Sequence, residues 1–293
     1  MSKSEQYHLE IVDQLVGITP SDWNALLTAD AGPFLRHEFL SALEETACVG
    51  KDTGWQVAHL VLKHGEKLVG AIPHYLKQHS YGEFVFDWAW AQAYGQHGMQ
   101  YFPKSLCAVP FTPVQGSRIL CAINEDSVFV QEQLIKGLRD LAVQNGLSSA
   151  HVLFPKQSQA QLLQEQGFML RDSVQFHWHN QDFQSFEQFL SALTMKRRKN
   201  IRRERAQVSK EGIYFRQVSG LDSTENDWEF FYRCYSNTYT EHRSSPYLNA
   251  AFFRLWAQRM PENLHLIIAE RNHRPIASSL IVVDHQESKA YGR

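Results

Sequence analysis

Hydrophobic positions recur along this chain in two periods, about 2 residues in some stretches and about 3.6 in others, and each change of period marks a new element. Tyr7–Val12 reads as an opening strand. Pro20, Ser21 and Asp22 start a helix with Ser21 or Asp22 as its cap, and a second short helix carries Phe39, Leu40, Leu43 and Glu44. Segments 55–62 and 67–76 flank the turn His64-Gly65-Glu66 and predict an antiparallel hairpin. The aromatic-dense segment 84–102 carries no clear period. A Pro/Gly-punctuated loop, PFTPVQG at 110–116, precedes a short strand at 117–122. Val128, Leu134, Ile135, Leu138, Leu141 and Ala142 then have helical spacing, and Asn145-Gly146 ends that helix. A strand at 150–154, a helix at 159–166 and a long strand at 168–178 complete the first half.

The second half repeats the opening plan. A long helix is predicted over 183–210, a strand over 213–218, and helices over 225–241 and 248–259. Strands at 264–270 and 275–283 flank the turn Asn272-His273, and residues 288–293 start one more strand. Each half thus holds a strand, two helices and an antiparallel hairpin. The pattern predicts an α/β (α+β) fold in tandem copies, 1–180 and 181–293, with the second copy incomplete and the natural chain longer.

Composition narrows the class. The chain has 293 residues, is 43% hydrophobic and 20% charged, and has a formal net charge of -2, so it can bury a core and is not basic overall. Its four cysteines, Cys48, Cys107, Cys121 and Cys234, form no CxxC pair and no zinc spacing, and read as reduced thiols of a cytoplasmic protein. No apolar run approaches the roughly 20 residues of a membrane-spanning helix, and the opening MSKSEQYHLE lacks a signal core.

Several stretches carry a resemblance: GPFLRHEFLSALE (32–44), GWQVAHL (54–60), LVGAIPHYLKQHSYGEFVFDWAWAQAY (68–94), PFTPVQGSRIL (110–120), VQFHW (174–178), KRRKNIRRER (196–205) and PYLNAAFF (246–253). With them the chain resembles a bacterial group of predicted N-acyltransferases associated with peptidoglycan biosynthesis or recognition, in the Gcn5-related N-acetyltransferase (GNAT) superfamily and related to Fem-type aminoacyltransferases. The resemblance implies tandem GNAT-like domains and transfer of an acyl or aminoacyl group to an amine; direct attack in a ternary complex is the expected path, since no candidate nucleophile with an adjacent base stands out in the sequence. The donor that the resemblance implies is acyl-CoA or aminoacyl-tRNA, and the acceptor a small-molecule or peptidoglycan-precursor amine. The competing readings are a non-catalytic module that binds peptidoglycan precursors and a nucleic-acid binder acting through the basic stretch at 194–205.

That stretch, TMKRRKNIRRER, holds seven Lys or Arg residues among twelve. On a helical wheel Lys196, Arg198, Lys199, Arg202, Arg203 and Arg205 fall outward, while Arg197, Asn200 and Glu204 share the face of Ile201 and Val208. The outer face reads as solvated or phosphate-binding, with Lys196, Arg198, Lys199 and Arg202 as the phosphate contacts. The inner trio reads as a paired polar network against a core, or as a cleft lining in which Arg197 and Asn200 contact substrate. A break near Thr194, a plausible cap, would leave the later residues in phase.

Catalysis of amide formation needs a held carbonyl, a neutral amine and a proton acceptor. Glu83 and Asp87 in HSYGEFVFDWAW could flank that amine; the plainer reading is aromatic core packing with one paired Asp. Arg243 and Tyr247 in NTYTEHRSSPYL are matched loosely to substrate-contacting Arg and Tyr residues of Fem-type enzymes, the alternative being an ordinary polar loop. The two imidazoles of HWH at 177–179 are too few for a zinc site, and no metal is expected.

Overall fold

The computed structural model describes residues 7–292. The first half runs β1 (Tyr7–Val12), α1 (Pro20–Asn24), α2 (His37–Glu45), β2 (Trp55–Val57), β3 (His59–His64), β4 (Lys67–Ile72), β5 (His74–Lys77), α3 (Trp88–Gln96), β6 (Lys104–Cys107), β7 (Leu120–Cys121), α4 (Ser127–Gln144), β8 (Ala150–Val152) and α5 (Gln157–Glu165). The second runs α6 (Phe186–Ala192), α7 (Met195–Lys210), β9 (Ile213–Ser219), α8 (Glu225–Glu241), α9 (Ala250–Arg259), β10 (Leu264–Arg271), β11 (Arg274–Asp284) and β12 (Lys289–Gly292). The architecture is mixed α/β, with several sheets and helices.

The predicted first hairpin forms, with one interruption on each arm. Ala58 separates β2 from β3, and Pro73, which has no N–H to give a ladder, separates β4 from β5. The arms still register, since Ala58 N–H donates to the His74 carbonyl at 3.0 Å. Beyond the break the neighbours diverge: β4 pairs with β7 and β5 with β6, all antiparallel, and β8 joins β6 in parallel. The loop between β6 and β7, which contains PFTPVQG, leaves the sheet at this divergence. β1 pairs antiparallel with β3, as β9 does with β10, so the two halves open alike. In the second half the order is β12-β11-β10-β9.

α4 covers the first sheet with Val130, Leu134, Ile135, Leu138 and Leu141. Val128, placed on this stripe by its spacing, is 60% exposed, and Val130 takes its role. The halves meet where α2 packs on α9. There the Phe39 ring lies 5.7 Å from Phe252 and 5.1 Å from Trp256, and Arg259 forks onto Glu45 with both bonds at 2.8 Å.

Four expectations change. The cap of α1 is Thr19, whose hydroxyl accepts from the Asp22 N–H, not Ser21 or Asp22; Pro20 takes the first helical position, which needs no donor. The helix predicted over 183–210 is two helices, broken after Ala192, with Thr194 accepting from the Arg197 N–H as the cap of α7. Segment 84–102 contains α3, a helix with no buried residue, so the aromatic packing of the plainer reading fails at Phe84, Phe86, Trp88 and Trp90, while its one paired Asp is found in Asp87 and Tyr101 is buried. The strand predicted over 168–178 does not form among the described residues. Its alternation is real, but β8 is the last strand of its sheet, and Val174, Phe176 and Trp178 are 80%, 97% and 65% exposed. Arg293, included in the last predicted strand, lies outside the described residues.

One buried group gives the fold a pH dependence. His74 is fully buried; its Nδ1–H donates to the Ala58 carbonyl at 2.8 Å, and Nε2 accepts from the Ser105 hydroxyl at 2.7 Å. Burial pushes the imidazole from the ordinary 6.5 down to about 4. The folded state therefore holds His74 neutral while the unfolded chain takes up a proton first. Stability is full above about pH 6.5 and falls as the pH drops toward 4. Urea melts across this window should show the loss, and His74→Gln should show a shallower slope.

Candidate active site

A cavity of about 630 Å³ lies between the two halves. Trp55, His79, Tyr81 and Phe111 line it from the first half, and Arg243 and Tyr247 from the second. This size is within the range for small-molecule sites.

The Arg243–Tyr247 wall is held at both ends. α8 finishes in a Schellman motif: Ser244 N–H donates to the Tyr239 carbonyl and Arg243 N–H to that of Thr240, each at 2.9 Å. Arg243 takes the left-handed position at φ 54, where glycine is usual, so an arginine there is strained and its side chain is exposed. At the far end Asn249 caps α9 by accepting from Phe252 N–H at 2.9 Å, and its amide donates to the Thr46 carbonyl at 2.6 Å. Between them Tyr247 stacks on Phe111 across the cleft, centroids 5.2 Å apart and planes at 10°.

Phe111 arrives there on the PFTPVQG loop, which is pinned from behind by Arg118. That side chain is 1% exposed and donates to the carbonyls of Leu153 and Ser117, each at 2.8 Å, and of Val114. Two glycines complete the wall. A Cβ at Gly82 would sit 2.6 Å from the Phe111 ring, and one at Gly54 would sit 2.4 Å from the His79 ring; both residues have positive φ.

His79 is locked. Its Nε2 can only donate to the Thr53 carbonyl at 3.0 Å, and its Nδ1 can only accept from the Tyr81 N–H at 3.2 Å. Burial and the nearby Lys77 lower its pKa, which keeps the ring neutral. With both nitrogens engaged, it shapes the cleft and has no free lone pair for a substrate proton.

Behind this wall lies a buried ionic network. Lys104 donates to Glu83 Oε2 at 2.8 Å, Asp87 Oδ2 at 2.5 Å and the Ser80 hydroxyl at 3.2 Å. Tyr101 adds a bond to Asp87 Oδ2 at 2.8 Å. Lys77 sits 3.8 Å above the Trp55 ring and donates to the Tyr81 carbonyl at 3.3 Å. Desolvation lowers Lys77 to about 7, against the pull of Glu83. Desolvation raises Glu83 despite Lys104. It also acts to raise Asp87, but bonds from Lys104, Ser80 and Tyr101 outweigh it and hold that carboxyl below its usual range. Glu83 Oε1 and Asp87 Oδ1 are buried without a hydrogen-bond partner among the described residues.

The residues singled out from sequence therefore fall in three places. Arg243 and Tyr247 line the cleft. Glu83 and Asp87 come together on Lys104 behind it, 3% and 1% exposed. The basic helix stands elsewhere, against β9, with no buried residue. Arg197 and Glu204 are exposed and Asn200 half-buried, so the trio is not a paired network facing a core; α7 has only Ile201 and Val208 to half-bury on that face. Of the phosphate candidates, Arg202 pairs with Glu187 at 2.5 Å and Arg198 donates to the Leu190 and Ser191 carbonyls, which ties α7 to α6. Lys196 and Lys199 are exposed and have no ion-pair partner among the described residues.

Sequence reasoning passed over Lys77, Lys104, Trp55 and Phe111. A lysine inside a short strand of otherwise buried residues, as in Lys104–Cys107, is the signal that could have found the network. The rings of His177 and His179 lie 6.4 Å apart, and the described residues hold no group of three metal-ligating side chains. No described helix is long and apolar enough to cross a membrane.

A model of the FemAB-like family, described as peptidoglycan biosynthesis/recognition, matches residues 14–293. Among solved structures the chain is similar to one titled "Crystal structure of FemX", at 11% identity and a TM-score of 0.43, over 87% of this chain and 57% of that one. The chain thus spans little more than half the length of that protein. No curated protein matches it.

Proposed function

The chain belongs to the FemAB-like family of peptidoglycan biosynthesis and recognition, and from that premise we propose that it is an N-acyltransferase working in the cleft between its halves. The observation that carries this reading is the cavity itself: about 630 Å³, aromatic on both walls, with Arg243 at its edge. The halves are read as GNAT-like domains, 1–180 and 181–293, and the divergence of β6 from β7 beside Pro73 is the kind of opened sheet that can present backbone N–H groups to a carbonyl.

In this reading the acceptor is the amine of a peptidoglycan precursor and the donor an acyl-CoA or aminoacyl-tRNA in the cytoplasm. The amine nitrogen forms the new C–N bond, the thiolate or ribose oxygen departs, and the proton lost by the nitrogen goes to that leaving group. Arg243 holds an anionic group of the acceptor, and Tyr247 with Phe111 bounds it. Glu83 and Asp87 act through Lys104 and Lys77, which fix the cleft wall, in place of a direct contact with the amine. Lys196 and Lys199 remain available for donor phosphates, and Arg197 and Asn200 for substrate contact from α7. As a general nucleic-acid surface that helix is weakened, because Arg198 and Arg202 are spent on α6.

The test is to incubate the protein with charged tRNAs or a panel of acyl-CoAs, together with nucleotide-linked and lipid-linked peptidoglycan precursors, and to read acceptor mass. A mass gain that Arg243→Ala reduces about tenfold in kcat/KM is expected, the size of one lost charge-assisted contact. Binding of precursor with no transfer from either donor class would overturn the enzymatic reading in favour of a recognition module.

A further inference from the structure

Tyr81 and Trp88 are 56% and 49% exposed, and their rings meet edge to face with centroids 5.5 Å apart and planes at 64°. Exposed aromatics on a surface loop are ordinarily free to move. These two are not, because the backbone that carries them is rooted in buried groups. The Tyr81 N–H donates to His79, and its carbonyl accepts from Trp55 Nε1 at 3.2 Å and from Lys77 Nζ at 3.3 Å. Trp88 follows Asp87, which is 1% exposed and clamped by Lys104 and Tyr101. The ionic network behind the cleft therefore ends, on its solvent side, in two fixed aromatic faces.

Their position and charge indicate what they face. Tyr81 lines the cleft, and Trp88 continues the same surface beyond it. Across residues 81–102 the only Asp, Glu, Lys or Arg side chains are Glu83 and Asp87, both buried; His97 is exposed and the Arg171 guanidinium lies 5.9 Å from the Trp90 ring further along α3, but no cation lies over the Tyr81 or Trp88 ring among the described residues. A phosphate-rich ligand at this place would need cations beside the rings. A sugar ring needs none: the C–H groups on one pyranose face carry partial positive charge, and the faces of Tyr and Trp are negative.

We propose that Tyr81 and Trp88 form a ring-stacking subsite for a pyranose of the acceptor, continuous with the cleft and held in place by Lys77 and Lys104. This rests on the cleft being the acceptor site. Preorganisation is what the buried network contributes, since a platform already fixed loses little freedom when a ring settles on it.

Titration calorimetry with three probes tests this: a disaccharide–stem-peptide fragment of peptidoglycan, the same peptide without sugar, and coenzyme A. The wild-type protein should bind the glycopeptide about tenfold more tightly than the bare peptide. Trp88→Ala should abolish that difference, Trp88→Phe should keep most of it, and Arg243→Ala should weaken both peptides alike. Equal affinity for the two peptides in the wild type, or an unchanged ratio in Trp88→Ala, would overturn the proposal. So would a coenzyme A affinity that falls in Trp88→Ala while the peptide ratio does not. Turnover plays no part in these readings, so absence of acyl transfer would sink the enzymatic reading and leave this one standing.

Discussion

Replacing Lys104 with alanine should lower the stability of the protein by about 3–5 kcal/mol at pH 7. Lys104 is fully buried, and it is the cation that Glu83 and Asp87 share. Its loss strands two carboxylates that water cannot reach, and Glu83 Oε1 and Asp87 Oδ1 already lack a hydrogen-bond partner among the described residues. The sign of the pH response follows. Without the lysine, both carboxyls are held above their ordinary range by burial, so they take up protons in the folded state as the pH falls, and the deficit narrows between pH 7 and 5. Chemical denaturation at the two pH values measures this. The triple variant Lys104→Met, Glu83→Gln, Asp87→Asn should lose less than Lys104→Ala, because it leaves no charge unpaired. A loss under about 1 kcal/mol in Lys104→Ala would mean that solvent reaches the network.

Trp256→Ala should be comparably severe, at about 3–5 kcal/mol, for a different reason. Trp256 is fully buried, and its ring lies 6.3 Å from Phe34, 5.1 Å from Phe39 and 5.4 Å from Phe252. Phe34 and Phe39 belong to the first half, while Phe252 and Trp256 belong to the second. Removing the indole opens a cavity at the contact that makes the halves one body. Denaturation followed by far-UV circular dichroism should show one transition in the wild-type protein and two separate steps in Trp256→Ala. Phe176→Ala is the control, since Phe176 is 97% exposed and should move stability by no more than about 0.5 kcal/mol. If Trp256→Ala unfolds at the wild-type midpoint, the two halves are not coupled through α2 and α9.

How much of this was legible beforehand depended on the range of the interaction. The two hairpins follow from their turns, His64-Gly65-Glu66 and Asn272-His273, and from strand composition, and both form. The repeated opening of the halves was likewise visible, because each strand, helix pair and hairpin is written in a contiguous stretch. The strand expected over 168–178 was not decided by its own residues. Val174, Phe176 and Trp178 alternate as a strand should, but a strand needs a neighbour's N–H and C=O groups, and pairing lies outside the segment. The break at Thr194 was weighed only as an alternative to one continuous helix, on the strength of a local device, a threonine cap, and the structure takes that alternative.

The site divides along the same line. Arg243 and Tyr247 were picked out by the resemblance to Fem-type enzymes, since their own residues read equally as an ordinary polar loop, and the loop does line the cleft. Helical phase left Arg198 outward although it is half-buried, but it correctly put Asn200, Ile201 and Val208 together as half-buried positions on one face of α7. It could not say that little packs there, so Arg197 and Glu204 on that same face remain in solvent. Glu83 and Asp87 were marked as acids near the cleft. Their tie to Lys104 joins positions 17 and 21 residues apart, and the stack of Phe111 on Tyr247 joins residues 136 apart by their numbers.

By itself, the sequence determined the mixed α/β class, the elements with a strong local period, the two hairpin turns and the exposed loop that carries Arg243. These depend on backbone preferences and side-chain period within a dozen residues. Tertiary structure alone decided that Lys104 is buried to bind two carboxylates and Lys77 to meet the Trp55 ring and the Tyr81 carbonyl, that an arginine with carbonyl partners pins the PFTPVQG loop, and that a cleft opens where the halves meet. Each of those depends on a charge or ring finding its partner across the fold, where burial makes an unpaired group intolerable and a paired one specific.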